Sequence, residues 1–192
     1  MTEAIGAAKK ALRQRALDLR RDLSSAQRTR YSAAISERLQ GEAVFLSARH
    51  VFAYVALEDE VHTEAILRGL IERDQAVSIP YIVGKRHMEA VALSRMEDLE
   101  EGAYGIQTIT PTARRLVDPE TIDLILVPGV AFSPTGQRLG MGGGFYDAFL
   151  PRATKALRLA LAYSCQIFPI LPTVEHDVGV HRVLTEEGFL PI

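Results

Sequence analysis

Apolar positions along this chain change their period several times, and each change marks an expected element. Leu12, Ala16 and Leu19 recur at helical spacing among basic residues, which predicts a basic amphipathic helix near the amino terminus. A second helix is expected from Ser24, because Ser24 with Gln27 three residues on makes a capping box. Its buried stripe is Tyr31, Ile35 and Leu39. The run 50–57 (HVFAYVAL) is nearly all apolar and of strand length, and 63–72 follows with Ile66, Leu67, Leu70 and Ile71 in a helical pattern. Further strands are expected at 76–82 and 89–94, and IDLILV at 122–127, ended by Pro128-Gly129, has the most buried character of all. A helix over 145–156 and a strand over 157–163 complete a strand–helix–strand unit. Strands apolar on both faces, alternating with helices, indicate an α/β domain whose mostly parallel sheet is covered on both sides.

No repeat, low-complexity tract or linker divides residues 1–192, so one domain is expected. With 47% hydrophobic and 24% charged residues, disorder and disulfide scaffolds are excluded as classes. The net charge of −2 argues against nucleic acid or an anionic membrane as the main partner. Charge is nevertheless uneven. The first thirty residues hold eight basic side chains against Glu3, Asp18 and Asp22. The single cysteine, Cys165, supports neither an internal disulfide nor a thiolate zinc cage and reads as a small core residue. No stretch approaches the ~20 apolar residues of a membrane span, and the opening MTEAIGAAKKALRQR lacks an apolar signal core. A cytoplasmic protein is expected, with a monomer as the simplest state.

Chemistry concentrates in 136–147, GQRLGMGGGFYD, where five of the first nine residues are glycine against fourteen in the whole chain. The segment follows a buried strand and precedes a helix, the place where α/β domains bind ligands. Backbone N–H groups freed of Cβ interference can converge on an anion, phosphate above all, and Arg138 adds a fixed positive charge. No Gly-Lys-Ser/Thr follows, so this is not a Walker A loop, and it does not open the first strand–helix unit as a dinucleotide fingerprint would. An acid beside a phosphate cradle is repulsive unless a cation intervenes, which points to Asp147 as a Mg²⁺ ligand. Taken alone, Asp147 is better read as an aspartate answering the dipole of a helix's first turn.

These residues resemble the 5-formyltetrahydrofolate cyclo-ligase (methenyltetrahydrofolate synthetase) family. The match is carried by Arg138-Leu139-Gly140-Met141-Gly142-Gly143-Gly144-Phe145-Tyr146-Asp147, supported by Val127-Pro128-Gly129-Val130-Ala131-Phe132 and Gly136. Lys9-Lys10-Ala11-Leu12-Arg13, Glu60-Val61-His62-Thr63-Glu64 and the stretch 172–177 match further family segments, in the family's order and over nearly the whole chain. The resemblance implies a three-layer α/β fold and ATP- and Mg²⁺-dependent closure of a reduced formylfolate, 5-formyltetrahydrofolate, to 5,10-methenyltetrahydrofolate. ADP and phosphate are released. The formyl oxygen is expected to attack the γ-phosphate, and N10 then closes the ring on the phosphorylated imidate. Such chemistry needs alignment and charge neutralisation rather than a protein nucleophile, in keeping with a chain that shows no Ser–His–Asp or Cys–His constellation.

Carried over by position, the resemblance assigns nucleotide binding to Lys9, Lys10 and Arg13 and to the run from Arg138 through Leu139, Gly140, Met141, Gly142, Gly143, Gly144, Phe145 and Tyr146. Arg138 and Tyr146 are the expected catalytic residues. Substrate contacts fall on Val55, Glu60, Gly142, Gly143, Gly144 and Phe145, and Mg²⁺ on Asp147 and Asp177. Lys9 and Arg13, four apart, share one helix face and can reach one triphosphate. Read without the family, each residue keeps a plainer role: Lys9 and Arg13 a solvated face, Val55 core, Glu60 a loop carboxylate, Phe145 and Tyr146 packing under the loop. His176 could be structural or phosphate-facing, a lone histidine being more often neither ligand nor catalyst, and Lys85-Arg86 and Arg114-Arg115 read as solvated loop charges, of which one could meet the folate's glutamate tail. Two positions depart from the family pattern. His181 stands where aspartate is common, and Phe145 where tyrosine is usual. A paralogue acting on another formyl or carboxyl compound, and a nucleotide-binding regulator without turnover, are the competing readings.

Overall fold

The computed structural model describes residues 2–190. In chain order its elements are α1 (Thr2–Arg21), α2 (Ser25–Gln40), α3 (Ala43–Ser47), β1 (His50–Phe52), α4 (Glu64–Glu72), β2 (Ala76–Gly84), β3 (His87–Ala92), β4 (Leu99–Glu101), β5 (Gln107–Ile109) and β6 (Leu116–Val117). There follow β7 (Leu124–Val127), β8 (Ala131–Phe132), β9 (Arg138–Leu139), α5 (Phe145–Phe149), β10 (Leu157–Leu161), β11 (Arg182–Thr185) and β12 (Gly188–Phe189). Eight strands form one sheet in the order β12-β11-β10-β7-β1-β2-β3-β6. The pairs from β11 across to β2 are parallel, while β12, β3 and β6 add antiparallel edges. This is the α/β class expected from strands apolar on both faces.

Strand β7 shows why the sheet is covered twice. Leu124 and Leu126 join one core with Ile35 and Leu39 of α2, Phe45 of α3 and Leu67 and Leu70 of α4. Ile125 and Val127 point the other way, into a second core with Phe149, Leu150 and Ala153. Period-two alternation with every position apolar requires this arrangement. Helix α2 starts at the expected capping box. Ser24 Oγ accepts from Gln27 N at 3.2 Å, and Gln27 Oε1 accepts from Ser24 N at 2.9 Å.

A third, smaller cluster docks α1. Leu12, Ala16 and Leu17 pack on Val130, Ala131, Leu139, Phe168 and Leu171, so the helix lies against the β8–β9 hairpin beyond the carboxyl end of β7. Here the expected stripe is corrected. Leu19 is 37% exposed, and Arg20 takes the buried position with 2% exposure, four residues after Ala16.

Other expected elements are shortened for local reasons. The chain leaves the sheet after Phe52, not at 57, because Thr63 captures the backbone beyond it: Thr63 Oγ1 donates to Tyr54 O at 2.8 Å and accepts from Ala56 N at 3.2 Å. The helix expected over 145–156 is α5 followed by a single 3₁₀ turn at Leu150–Arg152. Pro151 lacks the amide a continuing α-helix needs. Strand β3 pairs antiparallel with β2, as a tight turn between them dictates. Among the described residues no helix is long and apolar enough to cross a membrane.

Candidate functional site

Going along the chain, β1 leads outward to β2 and the path then returns to β7 on β1's other side, so strand order reverses between β1 and β7. In open α/β sheets the crevice outside the carboxyl ends of such strands is where ligands bind. A cavity of about 560 Å³ occupies that place, floored by Tyr54 and Val55 after β1 and by Pro128 and Gly129 after β7. The glycine loop 138–147 forms one wall, and Lys9 and Arg13 of α1 reach in from above. All the positions assigned through the family resemblance except Lys10 line this one space. Lys10 is exposed on α1.

Contact between the basic helix and the glycine loop is direct. Arg13 Nε donates to Gly140 O at 2.8 Å, and the Arg13 guanidinium lies 3.6 Å from where a Cβ on Gly142 would stand. Gly142 (φ 100°) and Gly144 (φ 71°) hold left-handed backbone that a side chain would strain, so the loop's path depends on glycine there.

Arg138 differs from the expectation of a guanidinium free to grip phosphate. Its side chain is 3% exposed, and Nη2 donates to Asp147 Oδ1 at 2.6 Å, Nε to Val178 O and Nη1 to Pro128 O. Asp147 also accepts from Val178 N at 3.2 Å. The pair therefore ties both ends of the glycine loop to the loop 172–180. Asp177 is likewise engaged, accepting from Lys9 Nζ at 2.6 Å and from Val174 N at 2.7 Å. Burial opposes ionisation of Asp177, but the Lys9 ammonium and the Val174 amide outweigh it and hold the carboxyl below its ordinary range.

Both acids expected at Mg²⁺ thus line the cleft, each beside a cation. Among the described residues no cluster of three or more His, Cys, Asp or Glu side chains could hold a metal by itself. Asp147 and Asp177, both lining the cleft, would be the groups to hold Mg²⁺, which takes one or two carboxylates and completes its shell with phosphate and water.

At the opposite wall Glu60 is 13% exposed, accepts from Leu57 N at 3.1 Å and lies 4.0 Å from Arg20 Nη1. Burial raises its carboxyl above the ordinary range despite these partners. Arg20, ion-paired with Asp59 at 2.8 Å, braces the turn that presents Glu60. Tyr146 Oη is fully buried with no hydrogen-bond partner among the described residues, and burial, with Glu60 nearby, holds the phenol neutral far above its usual range. Tyr54, whose hydroxyl donates to Val61 O at 3.0 Å, completes this wall.

Sequence reasoning missed Tyr54, Leu57, Ile82 and Met88 among the lining residues, and it left Lys85 and Arg86, which also line the cleft, as loop charges of which one could meet the folate's tail. The signal for the last two was a two-residue turn between apolar strands, the first of which runs parallel to β1 and ends at the same edge. His176 lines the cleft as well. Arg114 instead lies over the Tyr81 ring, and Cys165 is half-buried at the core's edge, its thiol pushed up to about 11 by burial. His181 falls outside the cleft, in a neighbouring recess of about 410 Å³ that shares only Arg138 and Asp177 with it. There its Nδ1 accepts from Arg158 N at 3.0 Å.

The family model described as the 5-formyltetrahydrofolate cyclo-ligase family matches residues 5–186. The chain is 30% identical to mouse 5-formyltetrahydrofolate cyclo-ligase, with 96% of each protein covered. It is 32% identical to the Mycolicibacterium smegmatis protein of the same name, over 92% of this chain and 93% of that one. In three dimensions it matches the Aquifex aeolicus 5,10-methenyltetrahydrofolate synthetase with a TM-score of 0.84 and 32% identity, covering 94% of this chain and 91% of the other. An α/β sheet whose switch-point cleft joins a glycine loop to a basic helix, together with family identity running almost from end to end, leaves one conclusion: the chain belongs to the 5-formyltetrahydrofolate cyclo-ligase family, a family of ligases.

Proposed function

We propose that this protein closes 5-formyltetrahydrofolate to 5,10-methenyltetrahydrofolate at the expense of ATP. The observation that carries this reading is one cleft holding both a glycine cradle crossed by Arg13 and, opposite, a buried acid beside an unpaired phenol. The first suits a triphosphate, the second a flat heterocycle with N–H donors and a carbonyl.

The chemistry divides a hard step into two easier ones. The formyl oxygen bonds to the γ-phosphorus as the bond from that phosphorus to the β,γ-bridging oxygen breaks, and ADP leaves. The folate's N10 then attacks the activated carbon, loses its proton, and the carbon–oxygen bond breaks to release phosphate. Little is required of the protein beyond holding the two substrates in line and matching charge.

Arg13 and Lys9 face the nucleotide from α1, and the amides of Gly142 to Gly144 receive its phosphates. Arg138 acts through Asp147 and the loop ends, which makes it a positioning residue. Glu60 accepts from N–H groups of the reduced pterin, and the neutral Tyr146 hydroxyl donates to an oxygen of the same substrate. Val55 and Phe145 supply apolar contact. Asp147 and Asp177 are the groups that would hold Mg²⁺, which when bound neutralises phosphate charge.

Formation of the methenyl chromophore, followed by absorbance with formylfolate, ATP and Mg²⁺ each omitted in turn, tests this reading. Product is expected only with all three present, and ADP release only when formylfolate is added. ADP formed without formylfolate, or ring closure without ATP, would overturn it.

A further inference from the structure

Among the described residues, five lysine and arginine side chains line the cleft: Lys9, Arg13, Lys85, Arg86 and Arg138. Their charges are not equally available. Asp177 neutralises Lys9 and Asp147 neutralises Arg138, while Arg13 has its Nε committed to Gly140 O. The side chains of Lys85 and Arg86 have neither an ion pair nor a hydrogen bond among the described residues. The glycine loop therefore contributes no free cation of its own, although a nucleotide's terminal phosphate brings concentrated negative charge.

Lys85 and Arg86 form the two-residue turn between β2 and β3, closed by the pairing of Gly84 with His87. Because β2 runs parallel to β1, and β1 to β7, this turn projects from the same edge of the sheet as the glycine loop. Arg86 crosses the gap between them. A Cβ on Gly144 would stand 2.7 Å from Arg86 Nε and 3.0 Å from Nη2, so the guanidinium lies directly against the glycine loop. Arg86 itself holds φ 57°, left-handed backbone that disfavours any residue with a Cβ. Glycine or asparagine is the usual occupant of such a turn position, whereas this turn bears two cations.

We infer that Arg86, with Lys85 beside it, grips the terminal phosphate of the nucleotide at the glycine loop. Its planar fork matches two phosphate oxygens, and Lys85 adds a point charge. This assignment rests on the ATP-dependent reading proposed above. Carboxylates of the folate's tail share the same chemistry, and Gly144 is expected at both ligands, so the nucleotide and formylfolate arms of the experiment below separate the two sources.

Titration calorimetry of the intact protein with Mg²⁺ and either a non-hydrolysable ATP analogue or ADP tests it, on the wild type, Arg86→Ala, Arg86→Lys and Lys85→Ala. Arg86→Ala is expected to weaken the analogue roughly ten- to hundredfold and ADP by less than about threefold, since one charged contact is lost only where the terminal phosphate exists. Arg86→Lys should recover part of the loss, and the KM for formylfolate should stay within about twofold of wild type. Because the side chain has no hydrogen bond or ion pair among the described residues, Arg86→Ala should unfold within about 2 °C of wild type. Equal weakening of both nucleotides, no weakening, or a loss confined to formylfolate overturns the assignment. A wild type that binds neither nucleotide overturns the ATP-dependent reading itself, whereas tight binding unchanged in Arg86→Ala overturns the role of Arg86 alone.

Discussion

Arg138 and Asp147 meet at 2.6 Å across the two ends of the glycine loop, with the guanidinium almost wholly buried. Asp147 thus has a structural task alongside its proposed one at Mg²⁺. Asp147→Asn leaves a buried cation facing a neutral amide, a loss of about 1–3 kcal/mol of stability. Turnover should fall sharply as well. Urea unfolding followed by steady-state kinetics separates the two, and a variant of unchanged stability would show that the ion pair contributes nothing.

Tyr146 predicts the opposite combination. Its hydroxyl is buried without a partner among the described residues, which is costly unless a substrate completes it. Tyr146→Phe removes that unsatisfied group and should raise stability by up to about 1 kcal/mol while lowering kcat. Melting temperature and turnover measured on one preparation check both. Lower stability together with full activity would mean that the hydroxyl meets neither expectation.

Glu60 carries a pH signature. Burial raises its carboxyl above the ordinary range, so the folded protein binds this proton more readily than the unfolded chain. The sign follows: at low pH, with the group neutral in both states, its burial carries no penalty, and stability is lost as pH rises through the folded value. Glu60→Gln should therefore be more stable than wild type at pH 7, with the difference vanishing below the ordinary glutamate range. Its affinity for formylfolate should drop. Thermal melts of the pair between about pH 4 and 8 read the first effect, since that span brackets an ordinary carboxyl and its raised counterpart. A difference independent of pH would rule out titration of Glu60 as its source.

Arg20 links α1 to the turn that presents Glu60 through Asp59, the neighbour of Glu60. Arg20→Met keeps the apolar length but strands Asp59, which retains partial access to water, and should destabilise by about 2–3 kcal/mol. The KM for formylfolate should rise more than the KM for ATP. An equal rise in both would assign Arg20 to the helix as a whole rather than to the turn that carries Glu60.

Much of this molecule was legible in residue order. Period-two apolarity over β7 and the helical stripes of α2 and α4 determined which segments bury which faces, because burial on a regular element is a local property of its spacing. Ser24 and Gln27 set the start of α2 through bonds three residues apart. The glycine run marked the loop that a phosphate-sized ligand would need. Short-range chemistry of this kind requires no knowledge of what lies across the fold.

Only the tertiary structure decided where charge is free. Arg138 is bound to Asp147, Lys9 to Asp177 and Arg20 to Asp59, while Lys85 and Arg86, which read as ordinary surface cations, line the cleft beside the glycine loop with no ion pair among the described residues. Likewise the burial of Arg20 in place of Leu19 depends on an acid 39 residues away. Apolar burial follows the period of a single element, but an ion pair depends on which distant segments docking brings within reach, and residue order alone does not contain that distance.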